Sequence, residues 1–369
     1  MADARLPYRA DHVGSLLRPQ ALREARAQHA AGAISDNELH GIEDRAIQGA
    51  IDKQVEVGLK DVTDGEFRRA FWHFDFLQEL AGVEAFESAQ GIQFKGGIQT
   101  AAKGLRVVGK LGCADHPMIE HFKFVKSHTR ATPKQTIPSP SVLHFRGGRK
   151  AVSTDVYPEM DAFYDDLGKA YAKAVKGFAD AGCRYLQLDE TNFTYLCDPD
   201  QRAMLVERGD DPDKLPQIYA DMINTAIAGR PDDMTISMHL CRGNFQSSWI
   251  ASGGYDPVAD VLFNQVDVDA YFMEYDDERS GGFEPLRLVP KGKRVVLGVV
   301  TSKAGELESA DAIKRRIDEA ATFCDLDQLC LSPQCGFAST EEGNLLSEEQ
   351  QWAKLRLCVE VAEQVWGGL

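Results

Sequence analysis

The sequence predicts an α/β protein of the (β/α)8 class, a TIM barrel, in which eight parallel strands close into a ring inside a shell of helices. Three observations lead to this prediction. Eight short runs have the composition of strands, most of them are apolar enough to be covered on both faces, and amphipathic stretches of helical length separate them. An open, doubly wound parallel sheet is the alternative architecture.

The eight predicted strands follow one another at intervals that leave room for helices. They are residues 9–15, 59–65, 135–143, 185–191, 235–241, 270–276, 294–302 and 328–335. The clearest amphipathic stretches are residues 159–181, 212–229, 310–323 and 347–365. Because strand and helix alternate eight times, a closed barrel is favoured over an open sheet.

The chain is longer than such a barrel requires. A barrel of this class needs about 250 residues, and the chain has 369. We assign the surplus to an N-terminal helical extension over residues 17–58 and to an insertion over residues 82–133, where a hairpin is expected to turn at Gly96 and Gly97. No Pro/Ser-rich linker or internal repeat interrupts the sequence, so residues 1–369 are predicted to form a single domain.

Composition and charge restrict the location and partners of the protein. Its eight cysteines are too irregularly spaced for a secreted disulfide framework. No apolar run approaches the roughly 20 residues that span a bilayer, and residues 1–12 lack the apolar stretch of a secretory signal. The formal net charge of −16 repels nucleic acid and anionic lipid. The sequence therefore predicts a cytoplasmic protein that binds neither nucleic acid nor membranes; a homo-oligomer stays open.

Four candidate metal ligands follow three of the predicted strands: His239, Cys241, Glu274 and Cys335. His239 and Cys241 are two residues apart, and side chains with this spacing on an extended strand point to the same side. All four are expected at the carboxyl ends of strands, where the catalytic groups of a TIM barrel lie. Two thiolates, an imidazole and a carboxylate suit zinc better than magnesium or calcium. The sequence thus predicts a zinc site that could bind and activate a substrate thiol.

Each of these four residues has a simpler interpretation when it is taken alone. His239 and Cys241 can be neighbours by chance, and Glu274 can belong to a solvated acidic turn. Cys335 can be a small buried apolar residue. Their joint placement at strand ends favours the zinc site.

Six segments of the chain resemble the catalytic-domain motifs of the cobalamin-independent methionine synthase family, especially its short, single-barrel relatives. These segments are DHVGSLLRP, DVTDGEF, YLQLDET, MHLCRGNF, YFMEYDDERSGGFEPL and LSPQCGFAST. The resemblance implies a zinc-dependent methyltransferase that moves a methyl group to the sulfur of homocysteine and forms methionine. It also implies that the same four residues hold the zinc.

The resemblance extends to substrate contacts. Gly14, Ser15 and Glu66 match residues that contact the amino-acid end of homocysteine. Asp189 matches an aspartate that could hold the substrate ammonium, which makes it a candidate for both binding and catalysis. Phe145 stands where the family has a tryptophan that flanks folate. The alternatives are an exposed loop acid for Glu66 and a helix cap for Asp189.

This chain differs from the family at residues that are expected to lie near the methyl donor. Residues 301–303 replace a histidine implicated as a proton donor, and Tyr195 replaces the second carboxylate of a DEPALRE-type motif. A methylated cobalamin protein or a small methyl compound therefore competes with folate as the donor. Lys303 is a candidate catalytic residue that supplies a proton or binds an anionic donor; a solvated loop lysine is the alternative.

Two other functions fit the same metal ligands. A zinc-dependent transferase or lyase for another small thiol, similar to epoxyalkane:coenzyme M transferase, would keep the metal and change the residues around the tail of the thiol. A barrel with a structural zinc would need a closed site. Glu66 and Asp189 favour an amino-acid tail over a sulfonate, and placement at strand ends favours catalysis.

Overall fold

The computed structural model describes residues 6–368, which form an α/β fold with parallel strands. Its strands are β1 (Asp61–Val62), β2 (Ala81–Glu87), β3 (Lys103–Gly112), β4 (Thr132–Pro133), β5 (Gln135–Pro138), β6 (Tyr185–Glu190), β7 (Thr235–Leu240), β8 (Ala270–Glu274), β9 (Arg294–Val300) and β10 (Leu329–Pro333). Its α-helices are α1 (Gln20–Ala30), α2 (Asp36–Glu56), α3 (Phe74–Leu77), α4 (Met118–Ser127), α5 (Ser141–Gly147), α6 (Met160–Asp180), α7 (Asn192–Tyr195), α8 (Pro199–Arg208), α9 (Leu215–Ile227), α10 (Ala259–Gln265), α11 (Ala310–Ala320) and α12 (Glu348–Trp366).

The central sheet has six parallel strands in the order β10-β9-β8-β7-β6-β5, so strands that follow one another in the chain are neighbours. A separate parallel pair joins β1 to β4, and only Lys134 lies between the end of β4 and the start of β5. Ala10 forms a parallel bridge to Leu331 of β10. All eight predicted strand segments therefore take part in parallel pairing. Within residues 6–368 no ladder joins residues 9–15 to β1; two hydrogen bonds connect these segments, from Thr63 Oγ1 to the Gly14 carbonyl and from the Leu16 amide to the Gly65 carbonyl.

The third predicted strand is too long. Residues 135–138 form β5, but the predicted strand over residues 135–143 is wrong beyond that point, because α5 begins at Ser141. Pro140 precedes this helix and has no amide hydrogen with which to continue a ladder. The change from strand to helix brings α5 close to the carboxyl end of β5.

The N-terminal extension contains two helices, α1 and α2. A capping box starts α2: the Ser35 side chain accepts from the Glu38 amide while the Glu38 carboxylate accepts from the Ser35 amide. The buried side of α2 includes Ile47 and Ile51, which belong to an apolar cluster shared with α12. The extension is therefore packed onto the parallel-strand body.

The region over residues 82–133 contains an antiparallel pair, β2 with β3. Gly96 and Gly97 lie in the connection between these strands with φ angles of 80° and 77°, which favour glycine. The Phe94 amide donates to the Ile98 carbonyl across this turn. The Lys95 amide donates to the Trp249 carbonyl, so the tip of the connection reaches the loop that follows β7.

The strands of the central sheet are buried on both faces. Every residue of β6, β8 and β9 is buried, as expected for parallel strands covered by helices. Helix α6 packs against α9 and buries Tyr171 and Phe178 in the main apolar cluster. No helix within residues 6–368 is both long and apolar enough to cross a membrane.

Candidate active site

Three of the four predicted metal ligands lie together. His239 is in β7, Cys241 follows that strand, and Cys335 follows β10. Their ligand atoms all lie within 4.8 Å of one another, and the two sulfur atoms are 3.4 Å apart. In the part of the chain that the structure describes, this is the only group of three or more His, Cys, Asp or Glu side chains close enough to hold one metal ion.

The surroundings of these three residues fit a metal ion. The His239 side chain is 2% exposed, and neither of its ring nitrogens has a hydrogen-bond partner. Buried polar atoms are normally paired, so two unpaired nitrogens beside two sulfurs indicate a missing ligand. The Cys241 thiol lowers the pKa of Cys335 well below its usual range by hydrogen bonding to it, which favours a thiolate. An imidazole with two sulfurs is a donor set that suits zinc.

Glu274 lies at the end of β8, outside this group of three. Its carboxylate accepts from the Arg242 amide at 2.7 Å and forms ion pairs with Arg279 and with Lys303, whose Nζ is 3.1 Å away. Burial alone would raise the pKa of Glu274, but the charges of Lys303, Arg279 and Arg242 outweigh it and lower the pKa to about 2. Glu274 is therefore an ionised carboxylate held by cations, and its predicted role as fourth ligand stays a prediction.

Lys303 is directed at Glu274 and does not line the cavity that contains the three metal ligands. Burial acts to lower its pKa, but the neighbouring carboxylates of Glu274 and Asp276 outweigh burial and raise it. A lysine in this state keeps its proton at neutral pH. This position favours a role in orienting Glu274 over one in donating a proton.

A cavity opens directly over the candidate metal ligands. Its lining includes the three clustered metal ligands and three side chains that are predicted to bind the substrate. These lining residues are Ser15, Glu66, Asp189, His239, Cys241 and Cys335. Gly14 is adjacent to this lining and has a φ angle of 129°; a β-carbon there would lie 2.7 Å from Thr136 Cγ2. Glycine is therefore required at this turn.

Glu66 and Asp189 are buried carboxylates on the cavity wall. Glu66 Oε1 accepts from Thr136 Oγ1 at 2.8 Å and is 3.3 Å from Arg69 Nη1, whereas Glu66 Oε2 is buried without a partner. Asp189 Oδ1 accepts from Gln187 Nε2 at 2.7 Å. Burial, together with the nearby Glu66 charge, raises the pKa of Asp189 to about 7. The unpaired Oε2 of Glu66 and the carboxylate of Asp189 suit a cationic group of a substrate.

Phe145 is not part of this cavity. Its ring is 1% exposed and packs on Tyr195 with 5.4 Å between ring centroids. Tyr195 lines the metal cavity, whereas Phe145 lines a separate, neighbouring groove. Direct contact of Phe145 with a substrate bound at the metal therefore has no support from its position.

The sequence prediction missed Arg18, which stabilises one wall of the cavity. Arg18 is buried and donates four hydrogen bonds to backbone carbonyls of two loops. The acceptors are Ala338 at 3.2 Å, Thr340 at 2.9 Å, Glu66 at 2.9 Å and Arg69 at 2.7 Å. Arg18 thus fixes the Glu66 loop relative to the loop after Cys335. Its place in DHVGSLLRP, three residues after Ser15, was the only signal for it in the sequence.

The chain is similar to known proteins over nearly its whole length. Residues 9–364 match the family model described as "Cobalamin-independent synthase, Catalytic domain". The uncharacterised protein YxjH of Bacillus subtilis is 53% identical over 364 residues, which cover 98% of this chain and 96% of the relative. A methionine synthase of Saccharolobus solfataricus is 24% identical over 94% of this chain and 92% of its own length.

One solved structure supports the fold and the family. A protein from Listeria monocytogenes, assigned as a vitamin-B12 independent methionine synthase, is 41% identical to this chain. It superposes with a TM-score of 0.78 over 98% of each chain. The similarity thus extends over the parallel-strand body and over the helices and hairpin attached to it.

Proposed function

Since this chain belongs to the cobalamin-independent synthase catalytic-domain family, we propose that it is a zinc-dependent methyltransferase that methylates the thiol of homocysteine to give methionine. The observation that carries the proposal is the group formed by His239, Cys241 and Cys335 at a cavity that also contains two buried carboxylates. The metal group suits a thiol, and the carboxylates suit the ammonium of an amino acid. Homocysteine has both groups.

We further infer that the eight strand segments close into a TIM barrel. A closed barrel of eight strands has eight neighbouring pairs, and seven of them are supported. Five lie in the central sheet, one is the pairing of β1 with β4 next to β5, and one is the bridge from Ala10 to Leu331. The eighth junction, between residues 9–15 and β1, has hydrogen bonds on both sides of Ser15. In a closed barrel, Ser15, Asp189 and the metal ligands all lie at the carboxyl-terminal face.

His239, Cys241 and Cys335 would hold the zinc, with Glu274 as the predicted fourth ligand. Zinc lowers the pKa of a thiol that it coordinates and so keeps the sulfur nucleophilic at neutral pH. Arg279 and Lys303 pair with the Glu274 carboxylate and keep it charged beside the site. These cations would compensate the carboxylate whenever it is not bound to the metal.

The other residues of the cavity would orient the acceptor. Glu66 and Asp189 would bind the substrate ammonium, and the Ser15 hydroxyl would contact the amino-acid end of the substrate. In the reaction, the sulfur lone pair forms a bond to the methyl carbon while the bond from that carbon to the donor breaks, and the donor keeps the electron pair. Fixing the acceptor at both ends holds the sulfur in line with the methyl group.

A methyl-transfer assay tests the proposal. The zinc-loaded protein is supplied with homocysteine and, in separate reactions, with methyltetrahydrofolate or methylcobalamin, and methionine is measured by mass spectrometry. We expect methionine with at least one donor, and loss of its formation in Cys335→Ser. Full activity in Cys335→Ser would contradict the assigned metal site. Methylation of other small thiols in place of homocysteine would contradict the assigned acceptor.

A cytoplasmic location is also expected, because the proposed reaction belongs to soluble metabolism.

A further inference from the structure

The loop that follows β10 contacts both ends of the metal cavity. It begins with Cys335, a predicted metal ligand, and continues with Gly336. A β-carbon on Gly336 would lie 1.9 Å from Ser15 Oγ, so any side chain at this position would displace the Ser15 hydroxyl. The Phe337 amide donates to the Ser15 carbonyl at 2.9 Å. A metal ligand and a residue predicted to contact the amino-acid end of the acceptor are thus linked through a single residue.

Asn244 joins this loop to the segment that follows β7. Its side chain is buried, lines the cavity and donates from Nδ2 to the Gly336 carbonyl at 2.8 Å. A carbonyl only accepts, so the amide nitrogen must face it. Asn244 lies three residues after Cys241, whose sulfur accepts from the Gly243 amide at 3.3 Å. The two segments that carry the predicted thiolate ligands are therefore joined by a side-chain hydrogen bond beside those ligands.

The residue on the other side of Cys335 is also held by hydrogen bonds. Gln334 Oε1 accepts from the Ser302 amide at 2.7 Å and from the Ser302 hydroxyl at 2.8 Å. The Ser302 hydroxyl lies 3.3 Å from Asn244 Nδ2, so the two side chains belong to one buried network. This network fixes the backbone before and after Cys335.

The remaining polar atom of Asn244 has no assigned partner. Within residues 6–368, Asn244 Oδ1 is buried without a hydrogen bond, so this side chain contacts the protein through its nitrogen alone. The bonds that Asn244 does make are directed at the loop after β10 and at Ser302. Its position therefore favours a role in holding that loop.

A fixed loop matters for an acceptor that is bound at both ends. The sulfur of the acceptor lies at the metal ligands, and its amino-acid end lies at Ser15, Glu66 and Asp189. Homocysteine has two methylene groups between its α-carbon and its sulfur, whereas cysteine has one. A rigid distance between the two ends of the site accommodates one chain length and strains the other.

We propose that Asn244 is a positioning residue that fixes the distance between the metal ligands and the residues that bind the amino-acid end, and thereby selects the chain length of the acceptor thiol. This inference rests on the proposed function and adds a determinant of its substrate specificity. Asn244 acts through Gly336, which contacts Ser15 on one side and follows Cys335 on the other.

Binding of two thiols tests the proposal without any methyl donor. Homocysteine and cysteine are titrated separately into the zinc-loaded protein by calorimetry, with zinc kept saturating so that a weaker metal site does not lower the apparent affinity for thiol. We expect the unaltered protein to bind homocysteine roughly tenfold or more tightly than cysteine, as is typical for a difference of one methylene group. In Asn244→Ala this ratio should fall severalfold, because the loop after Cys335 is no longer fixed.

The matched control is another asparagine that bonds to a distant backbone carbonyl. Asn224 Nδ2 donates to the Gln265 carbonyl at 2.7 Å, and Asn224 does not line the cavity. Asn224→Ala should therefore keep the ratio of the unaltered protein. If Asn244→Ala is unstable, Asn244→Gln keeps the amide on a longer side chain, displaces Gly336 and should also lower the ratio.

The possible results separate this inference from the proposed function. A protein that binds neither thiol would contradict the assigned acceptor and this inference together. A clear preference for homocysteine that persists in both Asn244 variants would overturn only the positioning role. Equal weakening of both thiols in Asn244→Ala would overturn it as well, since that result indicates direct contact of Asn244 with the common amino-acid end.

Discussion

His239 and His144 are both buried histidines next to the central sheet, but their surroundings differ. The ring nitrogens of His144 hydrogen-bond with the hydroxyls of Tyr219 at 2.8 Å and Tyr164 at 3.0 Å. Neither nitrogen of His239 has a partner, and two sulfurs lie within 4.8 Å of it. His144 completes a structural network, whereas both ring nitrogens of His239 remain available to a metal ion. Unsatisfied bonding capacity next to two sulfurs, and not residue type alone, distinguishes His239 as a candidate metal ligand.

Substitution of the two histidines should have the largest and most different effects on zinc binding. His239→Gln is expected to lower the affinity for zinc by roughly 100-fold or more and to abolish methyl transfer, because it removes one of three close ligands. His144→Gln should keep its zinc. The zinc content of both variants after dialysis against a weak chelator measures the difference. Equal zinc retention would mean that His239 is not a ligand.

Removal of the Glu66 charge should affect acceptor binding and not the metal. Glu66→Gln is expected to raise the KM for homocysteine by roughly 10- to 100-fold, since a hydrogen bond to a charged group contributes about 1.5–3 kcal/mol. Its zinc content should not change. Glu120→Gln, at an exposed residue of α4, is the control. An unchanged KM for homocysteine with a lowered kcat would show that Glu66 has another role.

Substitution of Arg18 should have a smaller effect, on both the stability of the protein and the binding of homocysteine. Arg18→Lys keeps the positive charge but cannot donate to four carbonyls, so buried acceptors lose their partners. We expect the free energy of unfolding in denaturant to fall by about 2–3 kcal/mol and the KM for homocysteine to rise severalfold. Zinc content should be retained. A loss of stability without any change in KM would limit Arg18 to a structural role.

The pH dependence of stability tests the structural role of His144. Burial lowers the pKa of His144 from 6.5 to about 4, although Asp210 opposes this shift. Between these values the unfolded chain binds a proton that the folded protein does not, so the contribution of this group is complete above pH 6.5 and is lost as the pH falls towards 4. His144→Gln should therefore show a shallower loss of stability in this window, by up to about 3 kcal/mol. An unchanged slope in denaturant unfolding would contradict this assignment.

The sequence allowed the metal group to be predicted because its signal is local. The two-residue step from His239 to Cys241 and the position of Cys335 after an apolar run place all three at strand ends. The pairing of Glu274 with Lys303 could not be predicted in the same way, because these residues are 29 positions apart and meet only through the neighbouring strands β8 and β9. The local pattern therefore predicts a donor-side role for Lys303, whereas its ammonium contacts the Glu274 carboxylate.

The sequence also could not predict the groove between the β2–β3 hairpin and α5, or the position of Phe145 in its lining. The glycine pair at residues 96–97 predicted a turn, but nothing in the local pattern indicated that β2 and β3 would face α5. The strand predicted over residues 135–143 also includes the first residues of α5, so the helix that carries Phe145 and Arg146 was not predicted. Periodicity predicts elements, whereas the faces that meet depend on packing between distant segments.

Zinc-edge X-ray absorption of the purified protein, with and without homocysteine, tests whether the metal binds the acceptor thiol, because it counts the sulfur atoms around the metal. The proposed function predicts two sulfurs in the free protein, from Cys241 and Cys335, and three after homocysteine is added. A sulfur count that stays at two would contradict activation of the acceptor thiol by the metal, and a protein that binds no zinc would contradict the metal site itself.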